Sequence, residues 1–246
     1  MTNLRPEAVS LKGGVLVFKT TATGSRRVVT QRDDDLLTPT EVKEQWPAVE
    51  AAMLKELLTW AKLKCFSRKA RRLARNIIDA RWVLKWKVEQ PAGESNAKNV
   101  VRTIRARLTV RGFKDQERNT VDRYSGTSAC SSQKLLVSEA VLRGWDICTA
   151  DISKAFLQGV TYEELSELTG EPIREVNFWL PPSNIPLLQK VPGFENFDPT
   201  KEVLRCDKPG TGLVDAPRAF NMKLKLVVIN ELGFAVPKWS PIGLCV

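Results

Sequence analysis

Two stretches in the first half of the chain keep a period of two, and nothing else in the sequence limits the fold as much. In residues 80–88, Trp82, Leu84, Trp86 and Val88 alternate with Val83, Lys85 and Lys87. In residues 101–111, Ile104, Ala106, Leu108 and Val110 alternate with Arg105, Arg107 and Arg111. Side chains on a strand point alternately to its two faces, so each stretch reads as a half-buried strand. The polar Gly- and Pro-containing residues 91–99 between them complete a β-hairpin with one apolar and one cationic face. Unpaired guanidinium groups in a row repel one another, and phosphate is their natural counterion.

The charge distribution points the same way. Residues 61–118 hold 17 Lys+Arg and 5 Asp+Glu, whereas the rest of the chain holds 21 and 23. The whole excess of +10 therefore sits in one segment. Its most basic part is residues 66–76, with Arg68, Lys69, Arg71, Arg72 and Arg75. Two readings stay open for this segment: a polyanionic partner such as nucleic acid, or a solvated basic face without a ligand.

The 246 residues are 43% hydrophobic and 27% charged, which suits a globular chain of one large or two small domains. There is no histidine. Ser-His-Asp and Cys-His catalysis, His-ligated zinc and imidazole proton shuttles are thereby excluded, leaving carboxylates, lysines, thiols or bound metal. Five scattered cysteines form no Cys-x-x-Cys pair and read as reduced thiols. With no secretory leader at the N-terminus and no apolar run near the ~18 residues of a membrane span, a cytoplasmic or nuclear location and no membrane partner are expected.

Elsewhere the signals are local. Residues 11–20 include a possible strand, and Asp33-Asp34-Asp35 reads as a solvated loop. Thr38-Pro39-Thr40-Glu41 is a capping box with Pro at the first helical position. Val42, Trp46, Val49, Met53, Leu57 and Trp60 then form an amphipathic stripe that Pro47 should interrupt. Further helices are expected over residues 131–143, capped by Ser131 and stopped by Gly144, over 161–169, and over 219–232 before Gly233. Residues 147–152 suggest a short strand, and 172–199 read as Pro-rich loops. Asp151, at the end of that strand, is either a metal ligand or a helix cap.

Around Asp151 the sequence resembles a known family. Asp151-Ile152-x-x-Ala155-Phe156-Leu157-x-Gly159 is similar to the first palm motif of copia-type LTR retrotransposon reverse transcriptases. The region from Trp46 to Trp60, residues 80–85 and residues 104–114 resemble that family's opening segments in order. Tyr124-Ser125, Gln133-Lys134-Leu135-Leu136 and Gly144-Trp145 continue the series. Residues 208–218, ending in Gly212-Leu213-Val214-Asp215-Ala216-Pro217-Arg218, resemble its Gly-Leu-x-x-Ala-Pro-Arg motif. The ordered matches span roughly residues 40 to 234.

The resemblance implies an α+β fold, the fingers and partial palm of a right-hand polymerase, with mixed and antiparallel sheets and packed helices. It implies an N-terminal flanking segment, partly disordered, over 1–37, a fingers-like region over 38–145 with its basic hairpin at 80–113, a partial palm over 146–234, and a divergent tail over 235–246. The partners would be an RNA template, a DNA primer and dNTPs. Asp151 and the backbone carbonyl of Ile152 would help to hold two Mg²⁺ ions. Arg105 and Arg107 would face the triphosphate, and Phe156 would exclude a 2′-hydroxyl or simply pack in the core. Lys85, Lys87, Arg111, Thr211, Gly212 and Pro217 would line the template and primer.

The sequence also departs from the family. Such palms need three carboxylates, and no adjacent Asp-Asp pair follows Asp151. Weak or absent Mg²⁺ binding and an inactive, C-terminally truncated enzyme fragment are therefore expected, because losing metal positioning removes several kcal/mol of catalytic stabilisation. The competing reading is a non-catalytic basic remnant that binds nucleic acid. A generic RNA-binding module is disfavoured, since neither an aromatic-Gly signature nor zinc spacing is present.

Overall fold

The computed structural model describes residues 16–20, 26–30, 35–89, 101–149 and 151–233. Gly13-Gly14, Asp33, Asp34, the loop 91–99, Cys245 and the tail 235–246 lie outside the described residues. The chain divides into two units, each built from separated stretches: residues 1–53 with 83–107, and residues 54–82 with 108–246.

In the first unit, β1 (Leu16–Thr20) pairs antiparallel with β2 (Arg26–Thr30). Helix α1 (Pro39–Glu44) starts at the expected capping box: Thr38 Oγ1 accepts from the Glu41 amide at 3.2 Å, and the Glu41 carboxylate accepts from the Thr38 amide at 2.7 Å. The helix ends at Gln45, and α2 (Trp46–Lys62) begins with Pro47 in its first turn. The proline thus starts a new helix rather than bending an old one, because its missing N–H costs nothing there. Along the stripe Val49, Met53, Leu57 and Trp60 are buried, Val42 is half-buried and Trp46 is exposed.

A five-stranded mixed sheet follows the order β3-β7-β6-β4-β5. Its strands are β3 (Phe66–Ala70), β4 (Ile77–Glu89), β5 (Val101–Val110), β6 (Asn177–Trp179) and β7 (Glu202–Cys206). The two strands of the expected hairpin are therefore neighbours at one edge of the sheet. β7 runs antiparallel to both β3 and β6, and β6 runs parallel to β4. Residues 172–199, expected to be loops, supply β6 and the short helix Ile185–Leu188.

The second unit owes its core to aromatic packing. Phe66 lies 6.2 Å from Trp60, 6.1 Å from Phe178 and 5.1 Å from Phe194 between ring centres. Tilted and edge-on pairs like these add about 0.5–1.5 kcal/mol each beyond the area they bury. Val203, Leu204 and Cys206 close the cluster from β7 with no exposure. A smaller cluster joins Val160, Leu165 and Ala219 to Met222 and Leu226.

The remaining helices are α3 (Cys130–Arg143), α4 (Tyr162–Thr169) and α6 (Ala216–Leu226), with α5 reserved for Ile185–Leu188. α4 fills the helix expected over 161–169, and the structure adds a full capping box on Thr161 and Glu164. α3 ends at Gly144 in the left-handed conformation, but its N-cap is Ala129 with no side-chain cap, so Ser131 does not cap it. Residues 147–149, 151 and 152 form no strand. A strand needs a ladder partner as well as β-forming residues, and no described strand pairs with this segment.

Candidate functional site

The apolar-in, cationic-out pattern of β5 is realised. Ala106, Leu108 and Val110 are buried, while Arg105 and Arg107 are exposed and make no ion pair among the described residues. Lys87 is exposed and Lys85 half-buried. β4 is held by a short extended segment: the Trp86 amide donates to the Asp35 carbonyl at 2.7 Å and the Leu37 amide to the Leu84 carbonyl at 3.1 Å. Trp86 Nε1 also donates to Glu41 at 3.2 Å, tying the strand to the first turn of α1.

Arg111 departs from the expected unpaired row. It is half-buried and bonds Asp79 at 3.1 Å, while Lys114 bonds the other Asp79 oxygen at 2.8 Å. Burial would push the Asp79 carboxyl up, but the Lys114 and Arg111 cations outweigh it and hold the group below its ordinary range. Two of three neighbouring arginines are thus free to meet an anion, and the third anchors the end of β5.

That anchor sits beside the Gly-Leu-x-x-Ala-Pro-Arg segment. The Val110 amide donates to the Thr211 carbonyl at 2.9 Å. Gly212 has φ +101°, a conformation that favours glycine, and a Cβ there would strike the Val110 carbonyl oxygen. A Cβ on Gly112 would strike the Gly212 carbonyl oxygen in turn. Gly210 lies against Trp60, whose ring leaves only 2.6 Å to a Cβ. Pro217 stands in the first turn of α6, and its carbonyl accepts from Ser125 Oγ at 3.3 Å. Arg111, Thr211 and Gly212 are therefore brought together, and the glycines serve close backbone contact inside the protein.

Asp151 and Ile152 are exposed and belong to no strand. Three residues on, Lys154 takes a left-handed conformation, φ 55°, and opens a 3-10 turn over Ala155–Gln158. In that turn Leu157 is buried and Phe156 is 41% exposed, so Phe156 is not a core residue. The loop is fastened at several points, among them a bond from the Cys65 thiol to the Leu157 carbonyl at 3.5 Å. Lys154 Nζ forms an ion pair with Glu56, a carboxylate only 3% exposed that also accepts from Trp60 Nε1 at 3.2 Å. The Val160 amide donates to the Ala219 carbonyl at 3.3 Å, and Gly159 touches the Ala219 backbone. Sequence reading missed the Glu56–Lys154 pair; the one signal for it was a glutamate on the apolar side of α2, one residue before Leu57.

A second polar cluster also lay beyond the sequence. Arg174, nearly buried, pairs with both Asp115 and Asp215, whose side chains are fully buried. Arg174 lies 6.0 Å from the centre of the Tyr162 ring, and Arg218 forks onto Glu171 at 2.8 and 3.0 Å. Tyr162, Glu171, Arg174, Asp215 and Arg218 border a cavity of about 290 Å³. The ion pairs join residues 115–122, the segment 171–174 that follows α4, and the start of α6, which reads as structural cross-linking.

The two Mg²⁺ ions that the resemblance implies do not fit the described residues. No group of three or more Asp, Glu, Cys or His side chains among them could hold a metal ion. A lone exposed carboxylate does not make a cage for two dications. No helix of the described residues is long and apolar enough to cross a membrane.

Over 159 residues the chain is 24% identical to the retrovirus-related Pol polyprotein from transposon RE2 of Arabidopsis thaliana. The match covers 64% of this chain and 9% of that polyprotein. The chain is similar to a fragment of a retrotransposon Pol polyprotein. No family model matches it, and no solved structure does.

Proposed function

We propose that the chain is a reverse transcriptase domain fragment of a copia-type retrotransposon polyprotein, carrying the fingers and part of the palm. The observation that carries the reading is the similarity to a transposon Pol polyprotein over 64% of the chain. The exposed Arg105 and Arg107 of β5 and the Gly212 contact at its end accord with it. On this reading Arg105 and Arg107 meet dNTP phosphates, Phe156 lies under the sugar, and Lys85, Lys87, Arg111, Thr211, Gly212 and Pro217 border template and primer. The cationic strand would offset charge building on the leaving pyrophosphate. Asp151 and the Ile152 carbonyl do not by themselves make a two-metal site, because one carboxylate supplies a single negative charge against two dications.

A second reading, a non-catalytic element that binds nucleic acid, is favoured by the exposure of Asp151 and the lack of an adjacent Asp-Asp pair after it. Primer extension with Mg²⁺ and dNTPs separates the two. No incorporation is expected from this chain alone, and incorporation that disappears in Asp151→Ala would establish it as a working polymerase. Binding of an RNA–DNA hybrid should fall with salt and weaken in Arg105→Ala/Arg107→Ala. Unchanged affinity in that variant would remove β5 as the contact.

A further inference from the structure

The most basic stretch of the sequence is not used by the reading above, yet it forms one wall of a groove. β3 ends at Ala70, paired with Glu202, and the chain turns away through a 3-10 turn at Arg71–Leu73. Opposite runs the loop 196–202, and the Arg71 amide donates to the Lys201 carbonyl at 2.8 Å, pinning the two walls together. The groove has a volume of about 870 Å³ and is lined by Arg68, Arg71, Arg72, Lys201, Asp198 and Glu202 among others. That is the size of a site for an extended ligand rather than a lone anion.

The charges in this groove are unequally committed. Arg68 forks onto Glu202 at 3.0 and 2.7 Å, donates to the carbonyls of Gly193 and Asn196, and lies over the Phe197 ring. Asp198 accepts from the amide and hydroxyl of Thr200 and pairs with Lys201 at 3.4 Å. Both carboxylates of the groove are thus occupied, and Arg68 is a fixed part of the wall. Arg71 and Arg72 remain, both exposed, their guanidinium groups without an ion pair among the described residues. Arg75, just beyond the turn, is exposed and unpaired in the same way.

We propose that this groove binds the phosphodiester backbone of a nucleic-acid strand, with Arg71 and Arg72 making the phosphate contacts. The guanidinium fork matches phosphate geometry better than a lysine ammonium does. Several free guanidinium groups on a pinned turn suit a repeating anion, and the ordering cost falls on side-chain tips alone. The inference rests on the nucleic-acid-binding part of the reading above and adds a second contact on different residues from β5.

The test is fluorescence anisotropy with a labelled single-stranded RNA 20-mer and an RNA–DNA hybrid across a salt series. Arg71→Ala/Arg72→Ala is compared with wild type and with Arg105→Ala/Arg107→Ala; circular dichroism verifies the fold of these surface variants. Loss of two phosphate contacts should weaken binding roughly tenfold and lower the slope of log K against log salt by about 0.7 to 0.9 per contact. If only the Arg105/Arg107 variant weakens, the groove is not a site and the earlier reading stands. If only the Arg71/Arg72 variant weakens, the groove is the contact and β5 is not. Wild type that binds neither nucleic acid, but binds phosphatidylserine vesicles through Arg71 and Arg72, overturns the proposal in favour of a lipid surface.

Discussion

Two regions of the second unit treat hydrophobic residues in opposite ways. Around β3, β6 and β7, Trp60, Phe66, Phe178, Val203 and Leu204 are all at most 5% exposed. Along α3 and the segment after it, Leu135, Leu136, Val137, Val141, Leu142, Trp145, Ile147, Ile152 and Phe156 are all at least 40% exposed. Ala140 is the one buried residue of α3. Both regions contain apolar side chains in quantity, so composition does not separate them. The difference lies in partners: the first region has sheet neighbours, whereas nothing among the described residues covers the second. The Asp151 motif belongs to the uncovered region, held by Glu56–Lys154 and by the contacts of the turn that follows.

The contrast can be broken most forcefully in the packed region. Trp60→Ala or Phe178→Ala should cost about 3–5 kcal/mol in urea unfolding through the cavity left behind. A loss under 1 kcal/mol from either would mean that the cluster is not the core. Next comes the fastening of the Asp151 loop. Lys154→Met leaves the Glu56 carboxylate buried and unpaired, and should cost about 3 kcal/mol. Adding Glu56→Gln should recover part of that loss, and a double-mutant cycle measures how much.

Glu175 sharpens the comparison through pH. Burial raises its carboxyl, but Lys69, the Arg75 amide and Asn177 outweigh that and bring it to about 2. A lowered carboxyl stabilises the fold above its unfolded value of roughly 4.3, and loses that contribution as the pH falls toward 2. Glu175→Gln should therefore cost about 1–2 kcal/mol at pH 7 and converge with wild type near pH 2. The thiols divide by region in the same sense. Burial pushes the Cys65 thiol up to about 12, and Cys206 also lies well above its usual range, whereas Cys130 and Cys148 are exposed. Maleimide at pH 7.5 should label Cys130 and Cys148 and spare Cys65 and Cys206 until denaturant is added. The smallest effect belongs to the uncovered helix: Leu142→Ala should change stability by no more than about 0.5 kcal/mol.

What the sequence disclosed follows the range of the forces involved. The capping box at Thr38, the helix over 161–169, the stop at Gly144 and the alternation of β5 depend on neighbours a few residues away, and all were readable. β6 has three residues inside a Pro-rich stretch, and β7 finds β3 across more than a hundred residues, so neither carried a local signature. The strand expected at residues 147–152 had suitable side chains but no ladder. At the site, Arg105 and Arg107 were legible because periodicity set their face. The Asp79 partner of Arg111 and the Glu56 partner of Lys154 were not, since long-range pairing leaves no trace in spacing.

The touch between Gly112 and Gly212 makes one joint of two distant parts of the chain. A methyl group on either would force the same pair of strands of backbone apart, so the first substitution already opens the gap that the second needs. Losses at the two positions should therefore fall short of adding, and whatever shifts the Gly-Leu-x-x-Ala-Pro-Arg turn carries the Arg111 end of β5 along with it.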